Sequence, residues 1–415
     1  MNQQNHSGKS PKPNNDRLLE RIERLGKIGG LSGGGVCRLA LTDEDRDGRD
    51  LVLRWMKDLG LSTSIDKIGN VIGIRPGLED CAPVMMGSHI DSVATGGLYD
   101  GALGVLAGLE AVQTLNDTGI TTRHPIAIGY FTNEEGARFP PDMMGSAVHQ
   151  GSLSLEEALS TEDKEGISVG SELDRIGYSG DAPVNDLVPH SYLELHIEQG
   201  PVLEESGITI GAVTGVQGIS WMEYLLNGTS NHAGTTPMRL RHDAGFVAAA
   251  VTVEARSIAN EIGGHQVATV GVTELRPNLV NVISNHARIT VDLRNTSEDK
   301  LSLAESRMND FVVHTAANEG VKLEQQILAR FTPVKFDDDI ISLVESAARD
   351  FDLSCQRLPS GAGHDAQMFA PNCPTGMIFV PSQGGISHNV KEFTSPADIA
   401  AGMNVMMKVL TEISE

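Results

Sequence analysis

A chain of 415 residues can bury a sizeable core, and its length favours two domains over one. Apolar residues at 40% and charged residues at 21% suit a globular fold, while 4% aromatics leave little for stacking on bases. With 55 acidic against 32 basic residues the net charge is −23, which repels phosphates and anionic headgroups and so excludes nucleic acid and membrane partners. A small anionic substrate stays compatible, because divalent ions in a cleft dominate at close range.

Residues 1–16 read as a flexible polar tail without the apolar segment of a signal peptide, and no run reaches about eighteen apolar residues, so a cytoplasmic location is expected. The four cysteines, Cys37, Cys81, Cys355 and Cys373, lack metal or disulfide spacing and are expected to be free thiols. Helices are predicted over 17–27 and 43–59, the second capped by Asp43. From Val71 to Glu198 short apolar runs at 71–74, 83–89, 127–131 and 192–197 alternate with helical stretches, which is an α/β pattern. Between about 215 and 329 the order is strand 219–226, helix 243–260, strands 267–274 and 287–293, helix 299–318 and strand 322–328. That βαββαβ sequence is ferredoxin-like. The remainder returns to alternation, with a strand at 377–380 and a last helix near 397–413. The expectation is a discontinuous catalytic domain (17–214 and 330–415) with a smaller domain inserted at 215–329.

Five residues at strand exits of the α/β part form one candidate constellation. PVMMGSHIDSV puts His89 at a strand end, with Asp91 spaced to accept the ring's second N–H. Asp100 follows a glycine-rich loop and precedes an apolar helix, where its ordinary use is an N-cap. Glu134 and Glu135 leave the next strand as adjacent carboxylates, which suits one metal ligand and one general base; exposed loop charges are the plain alternative. In YLELHIEQG the residues Glu194, His196 and Glu198 alternate with apolar ones, placing His196 on a polar strand face and Gln199 at its end. His388 sits in a glycine-containing loop, expected to be flexible, after a short strand. Together His89, Asp100, Glu135, His196 and His388 suit Zn2+ or Mn2+, Co2+ or Ni2+.

The segments GSHIDSV, GGLYDGALGV, TNEEGARF, HIEQGPVLE, SNHAGTTPM, SGAGHDA and SHN occur in an order that resembles the N-carbamoyl-L-amino-acid hydrolase, β-ureidopropionase and allantoate amidohydrolase family of the M20 clan. The resemblance covers nearly the whole chain. It implies a Zn-peptidase-like catalytic domain with an inserted ferredoxin-like lid and dimerisation domain, and a homodimer formed through that insert. It also implies two metal ions held by His89, Glu135, His196 and His388 with Asp100 as bridge, and Glu134 as general base. His232 would polarise the scissile carbonyl, from its own chain or from a partner subunit. Gln199, Asn281, Arg294 and His364 would contact the substrate, Arg294 gripping a carboxylate. The implied reaction is cleavage of an N-carbamoyl-L-amino acid to amino acid, ammonia and carbon dioxide. Allantoate is the alternative substrate, and an N-acyl amidase or dipeptidase activity is a more distant one.

Overall fold

The computed structural model describes residues 10–415, so the first nine positions of the expected tail lie outside the described residues. The described residues form thirteen strands. These are β1 (Ser62–Ile65), β2 (Val71–Arg75), β3 (Val84–His89), β4 (Ile126–Phe131), β5 (Ser191–Ile197), β6 (Ile210–Val216) and β7 (Gly218–Asn227). They continue with β8 (Val267–Arg276), β9 (His286–Asn295), β10 (Lys322–Phe331), β11 (Val334–Lys335), β12 (Cys355–Ser360) and β13 (Thr375–Val380). Contacts divide the chain into two compact units, one comprising residues up to Gly215 with Lys335–Glu415, the other Val216–Val334.

The first unit is built on a nine-stranded mixed sheet in the order β1-β2-β4-β3-β5-β13-β6-β11, with β12 paired to β6. Its centre, β4-β3-β5-β13, is parallel, so four strands end at the same edge of the sheet. The chain passes from β3 to β4 on one side and then returns to β5 on the other. Ligands of open α/β sheets bind in the crevice outside the strand ends at such a reversal. Helix Ala102–Thr118 packs on β3, β4 and β5 and is buried over most of its circumference, as its lack of a polar stripe requires.

The polar face of strand β5 lies in the interior, since every residue from Ser191 to Ile197 is buried; it is a central strand with helices packed on it. Several expectations are corrected here. Asp43 is not the cap of its helix. Thr42 is, its side chain accepting from the Asp45 N–H. The first helix begins at Asn15 rather than Arg17, since Asn14 supplies the cap. Strands β1, β6, β11 and β12 went unanticipated, being short or lying at the sheet's margins. All four cysteines are free.

The second unit has the element order β7, helix Ala244–Ile262, β8, β9, helix Glu298–Glu319, β10, with an antiparallel sheet ordered β10-β7-β9-β8. Alternate residues Met222, Tyr224 and Leu226 of β7 and Ala287, Ile289, Val291 and Leu293 of β9 meet Val247, Val251, Ile258, Leu301, Met308 and Val312 of the helices in one apolar core. No described helix is long and apolar enough to cross a membrane.

Candidate metal centre

The exits of β3, β4, β5 and β13 converge on Asp100. His89, the last residue of β3, brings its Nε2 to 3.6 Å from Asp100 Oδ1, and His196 of β5 brings its Nε2 to 3.3 Å from the same oxygen. On the other side, His388 Nε2 lies 3.4 Å from Asp100 Oδ2 and 3.3 Å from Glu135 Oε2. The donors therefore fall into two groups of three, His89–Asp100–His196 and Asp100–Glu135–His388, which share the two oxygens of one carboxylate. Ligands about 2.0–2.2 Å from a tetrahedral ion lie about 3.3–3.6 Å from one another. The measured separations fall in that range.

Local backbone geometry produces this convergence. Gly101 has φ +63°, and a Cβ there would meet the His89 ring at 2.3 Å, so only glycine lets the Asp100 turn rest on that imidazole. Asp100 is not the N-cap of the following helix; Gly101 holds that position. Asn133 and Gln199, each two residues past a strand, and His388, in the loop after β13, take positive φ of 57°, 57° and 53°, a strained choice for non-glycine residues that clusters at functional sites. The loop carrying His388 is tied across its base by Gln383 N donating to Phe393 O at 2.9 Å.

Asp91 does not act as expected. His89 Nδ1 bonds the main-chain oxygen of Asp91 at 3.0 Å, while the Asp91 carboxylate accepts from the Glu134 and Glu135 N–H groups, both at 3.3 Å. The carboxylate stops 3.9 Å from the ring Nδ1, beyond hydrogen-bond reach, because its two oxygens are taken up by the neighbouring turn. The tautomer follows either way: Nδ1 donates to a carbonyl, leaving the Nε2 lone pair for a cation. His196 repeats this with its Nδ1 on Ile197 O at 2.9 Å.

Glu134 and Glu135 point to different groups. Glu134 Oε2 lies 3.2 Å from His89 Nε2, whereas Glu135 reaches His388. Burial, reinforced by Asp365, Glu135 and Asp100 against the pull of His89, raises the Glu134 carboxyl well above the ordinary range. Burial and Asp100 push Glu135 up to about 8. Burial also opposes ionisation of Asp100, but hydrogen bonds from His196, His388 and His89 outweigh it and hold that carboxyl well below its usual value. His388 is raised to about 9, chiefly by its hydrogen bond to Asp100. Glu135 Oε1 is buried and meets no hydrogen-bond donor, an orphaned acceptor that a cation would satisfy.

A cavity of about 110 Å³ opens on this cluster, lined by Asp100, Glu134, Glu135, Asp142, Gln199, Ala362, Gly363, His364 and His388. Gln199 donates to Asp100 Oδ2 at 2.8 Å. His364 is buried with its Nε2 on Ser360 Oγ at 2.9 Å, and burial with the nearby His196 keeps its pKa well below the ordinary value. Asp142, Ser387, Glu392 and Asp365 were missed by sequence reasoning. Glu392, four residues beyond His388 in a polar loop, carried the only usable signal.

In the second unit His232 and Asn281 are side by side. Residue pairing of His232 with Val282 and the bond from Ala233 N to Asn281 O at 3.0 Å zip their two loops together. His232 Nδ1 accepts from the Gly234 and Thr235 N–H groups at 3.0 and 3.2 Å, so a neutral ring carries its proton on the exposed Nε2. Arg294 lies on β9 and forks onto Asp292 at 2.9–3.2 Å, so a substrate carboxylate would share that guanidinium with an ion pair already in place.

The sequence pattern of peptidase family M20/M25/M40 matches residues 85–412. The chain belongs to that family. Among family relatives, it is 42% identical over 409 residues to an N-carbamoyl-L-amino-acid amidohydrolase of Rhizobium meliloti, covering 98% of each chain. It is 38% identical over 405 residues to one from Geobacillus stearothermophilus, covering 96% of this chain and 98% of that one. Among solved structures, it is similar to an amidase of the hydantoinase/carbamoylase family from Burkholderia multivorans, with a TM-score of 0.95, 43% identity and coverage of 98% and 99%. As an M20-family chain with this cluster of imidazole and carboxylate donors, it is suited to divalent metal ions.

Proposed function

We propose that this protein is a metal-dependent amidohydrolase that cleaves the ureido amide of N-carbamoyl-L-amino acids. One water converts the substrate to the free amino acid, ammonia and carbon dioxide. The observation that carries the reading is the pair of donor triads sharing Asp100, taken with the kinship to carbamoyl-amino-acid hydrolases. His89 and His196 would hold one ion and Glu135 and His388 the other, with Asp100 between them. Zn2+ suits these donors best, and Mn2+, Co2+ or Ni2+ are compatible. The orphaned Glu135 oxygen and the donor spacings support the fit. When bound, such ions polarise the carbonyl and lower the pKa of water toward about 7.

The chain's own groups supply the rest. Glu134, buried and of high proton affinity, takes the proton of the attacking water and passes it to the leaving nitrogen. His232 presents its Nε2–H as a donor to the developing oxyanion. Asn281 and Arg294 bind the amino-acid end, Arg294 through its fork. Gln199 and His364 face the substrate from the cavity wall.

We further propose that the βαββαβ unit is a lid and dimerisation domain, and that two copies contribute to each site. His232 and Asn281 lie in loops beyond the end of the second unit's sheet where Asn227 pairs with His286. Arg294 lies at the other end, where Gly218 pairs with Asn295 and the chain enters the unit. Eight residue steps along β9 separate His286 from Arg294, about 26 Å at ~3.3 Å per residue. A carbamoyl amino acid spans only about two backbone units, or ~7 Å. One copy of the unit therefore does not bring both sets to one substrate, and a partner's loop would. The free edge strand β8 and the exposed Phe246 and Val253 on the adjoining helix offer a surface for that partner.

The test is ammonia release from N-carbamoyl-L-amino acids, N-carbamoyl-β-alanine, allantoate and N-acyl controls, using metal-stripped protein reloaded with Zn2+ or Mn2+. Turnover of the carbamoyl compounds with none of the acyl controls is expected. Absence of turnover with every metal would overturn the assignment.

A further inference from the structure

Glu392 lies outside the ligand set, yet it is buried and joined to Asp100 by two routes. Its Oε1 accepts from the main-chain N–H of both Tyr99 and Asp100 at 3.2 Å. Its Oε2 meets the Ser387 hydroxyl at 2.9 Å, and that hydroxyl lies 3.1 Å from Asp100 Oδ2. The carboxylate rests in a place only glycine leaves open, since a Cβ on Gly97 would come within 2.0 Å of Glu392 Oε1. One side chain thus joins the glycine-rich turn that aims Asp100 to the loop that carries His388, nearly three hundred residues later.

We infer that Glu392 is a positioning residue for the metal centre, fixing the carboxylate shared by both donor groups and the direction of His388. It holds the Asp100 backbone by two N–H groups and, through Ser387, one of the carboxylate oxygens. Partners of this kind govern metal affinity without touching the ion. The inference rests on the metal-centre reading above.

Removing the side chain in Glu392→Ala leaves the part-buried Tyr99 and Asp100 N–H groups without their acceptor, and leaves the Ser387 hydroxyl with Asp100 Oδ2 alone. Glu392→Gln preserves the arrangement, because the amide oxygen accepts from both N–H groups while the amide nitrogen donates to Ser387. Ser387→Ala cuts only the side-chain route.

The experiment strips each full-length protein of metal, titrates back Zn2+ and Co2+, and measures stoichiometry, affinity against a chelator, and the visible absorption of the Co2+ form. Melting and circular dichroism are recorded alongside. Glu392→Ala is expected to weaken metal retention at least about tenfold and to alter the Co2+ spectrum, with Glu392→Gln restoring both. Ser387→Ala should show a smaller loss in the same direction, and it decides the matter if Glu392→Ala does not fold. A wild-type protein that binds two ions, beside folded variants of unchanged affinity and spectrum, overturns the inference alone. A wild-type protein that binds none overturns the metal-centre reading and this inference with it.

Discussion

The two units present their candidate functional groups in opposite ways. In the first, His89, Asp100, Glu134, Glu135 and His196 are nearly or fully buried, bonded to one another and strongly perturbed in proton affinity. In the second, His232 and Asn281 are exposed on loops. Arg294 is half-buried and engaged with Asp292. Three parallel strands, β3, β4 and β5, carry the first set to one sheet edge, so the scaffold bears the cost of gathering like charges. The second set sits on groups that water still reaches, where strain is low and a partner surface can approach. On the proposed function, the buried set holds the metal ions and the general base, while the accessible set supplies the oxyanion donor and the grip on the amino-acid end.

The largest expected effect comes from breaking the shared carboxylate. Asp100→Ala should lose both ions, seen as metal content near zero, with activity at background. Glu134→Gln should keep its metal and its KM while kcat falls roughly 10²–10⁴-fold; a KM effect of comparable size would move Glu134 from base to binding group. In the second unit, His232→Ala should lower kcat by roughly 10²–10³-fold with metal content unchanged. Mixing His232→Ala and Arg294→Ala proteins under conditions that exchange subunits should restore about a quarter of wild-type activity if two copies build each site. No recovery would return both residues to one chain.

A pH experiment probes the buried set of the first unit. In the metal-free protein the folded values of Glu135, about 8, and His388, about 9, lie above their unfolded values. Such groups contribute stability that is fully present at low pH and lost as pH rises through the folded value. The metal-free melting temperature should therefore fall between pH 6 and 9. Added Zn2+, which must displace these protons, should raise it more at pH 8.5 than at pH 6. The smallest effect belongs to Asn281→Ala, whose loop is paired through main-chain atoms. Stability should stay within about 0.5 kcal/mol while KM rises.

Much of this was legible in the residues themselves. Strand exits at His89, Phe131 and Ile197 could be placed because apolar runs stop where polar groups begin, and the βαββαβ order followed from a change in periodicity. The separate aims of Glu134 and Glu135 also agree with what adjacent side chains must do. Less legible were contacts made across the chain. Asp91 was assigned to the His89 ring by spacing, but its carboxylate holds the 134–135 turn. The polar face of β5 was legible as polar but its partners were not, because alternation is the same whatever lies on it; Glu194 bonds Ser88 and the Ala366 N–H in the interior.

The sequence by itself determined the kinds of group present and the strand ends at which they appear, because hydrophobic periodicity and turn residues are local properties. Only the tertiary structure decided that one oxygen of Asp100 faces His89 and His196 and the other His388. It alone brought Glu392 against the Asp100 turn and set Arg294 a sheet's length from His232. Those relations join residues far apart in the chain, and sheet order and packing, rather than spacing, fix how such residues meet.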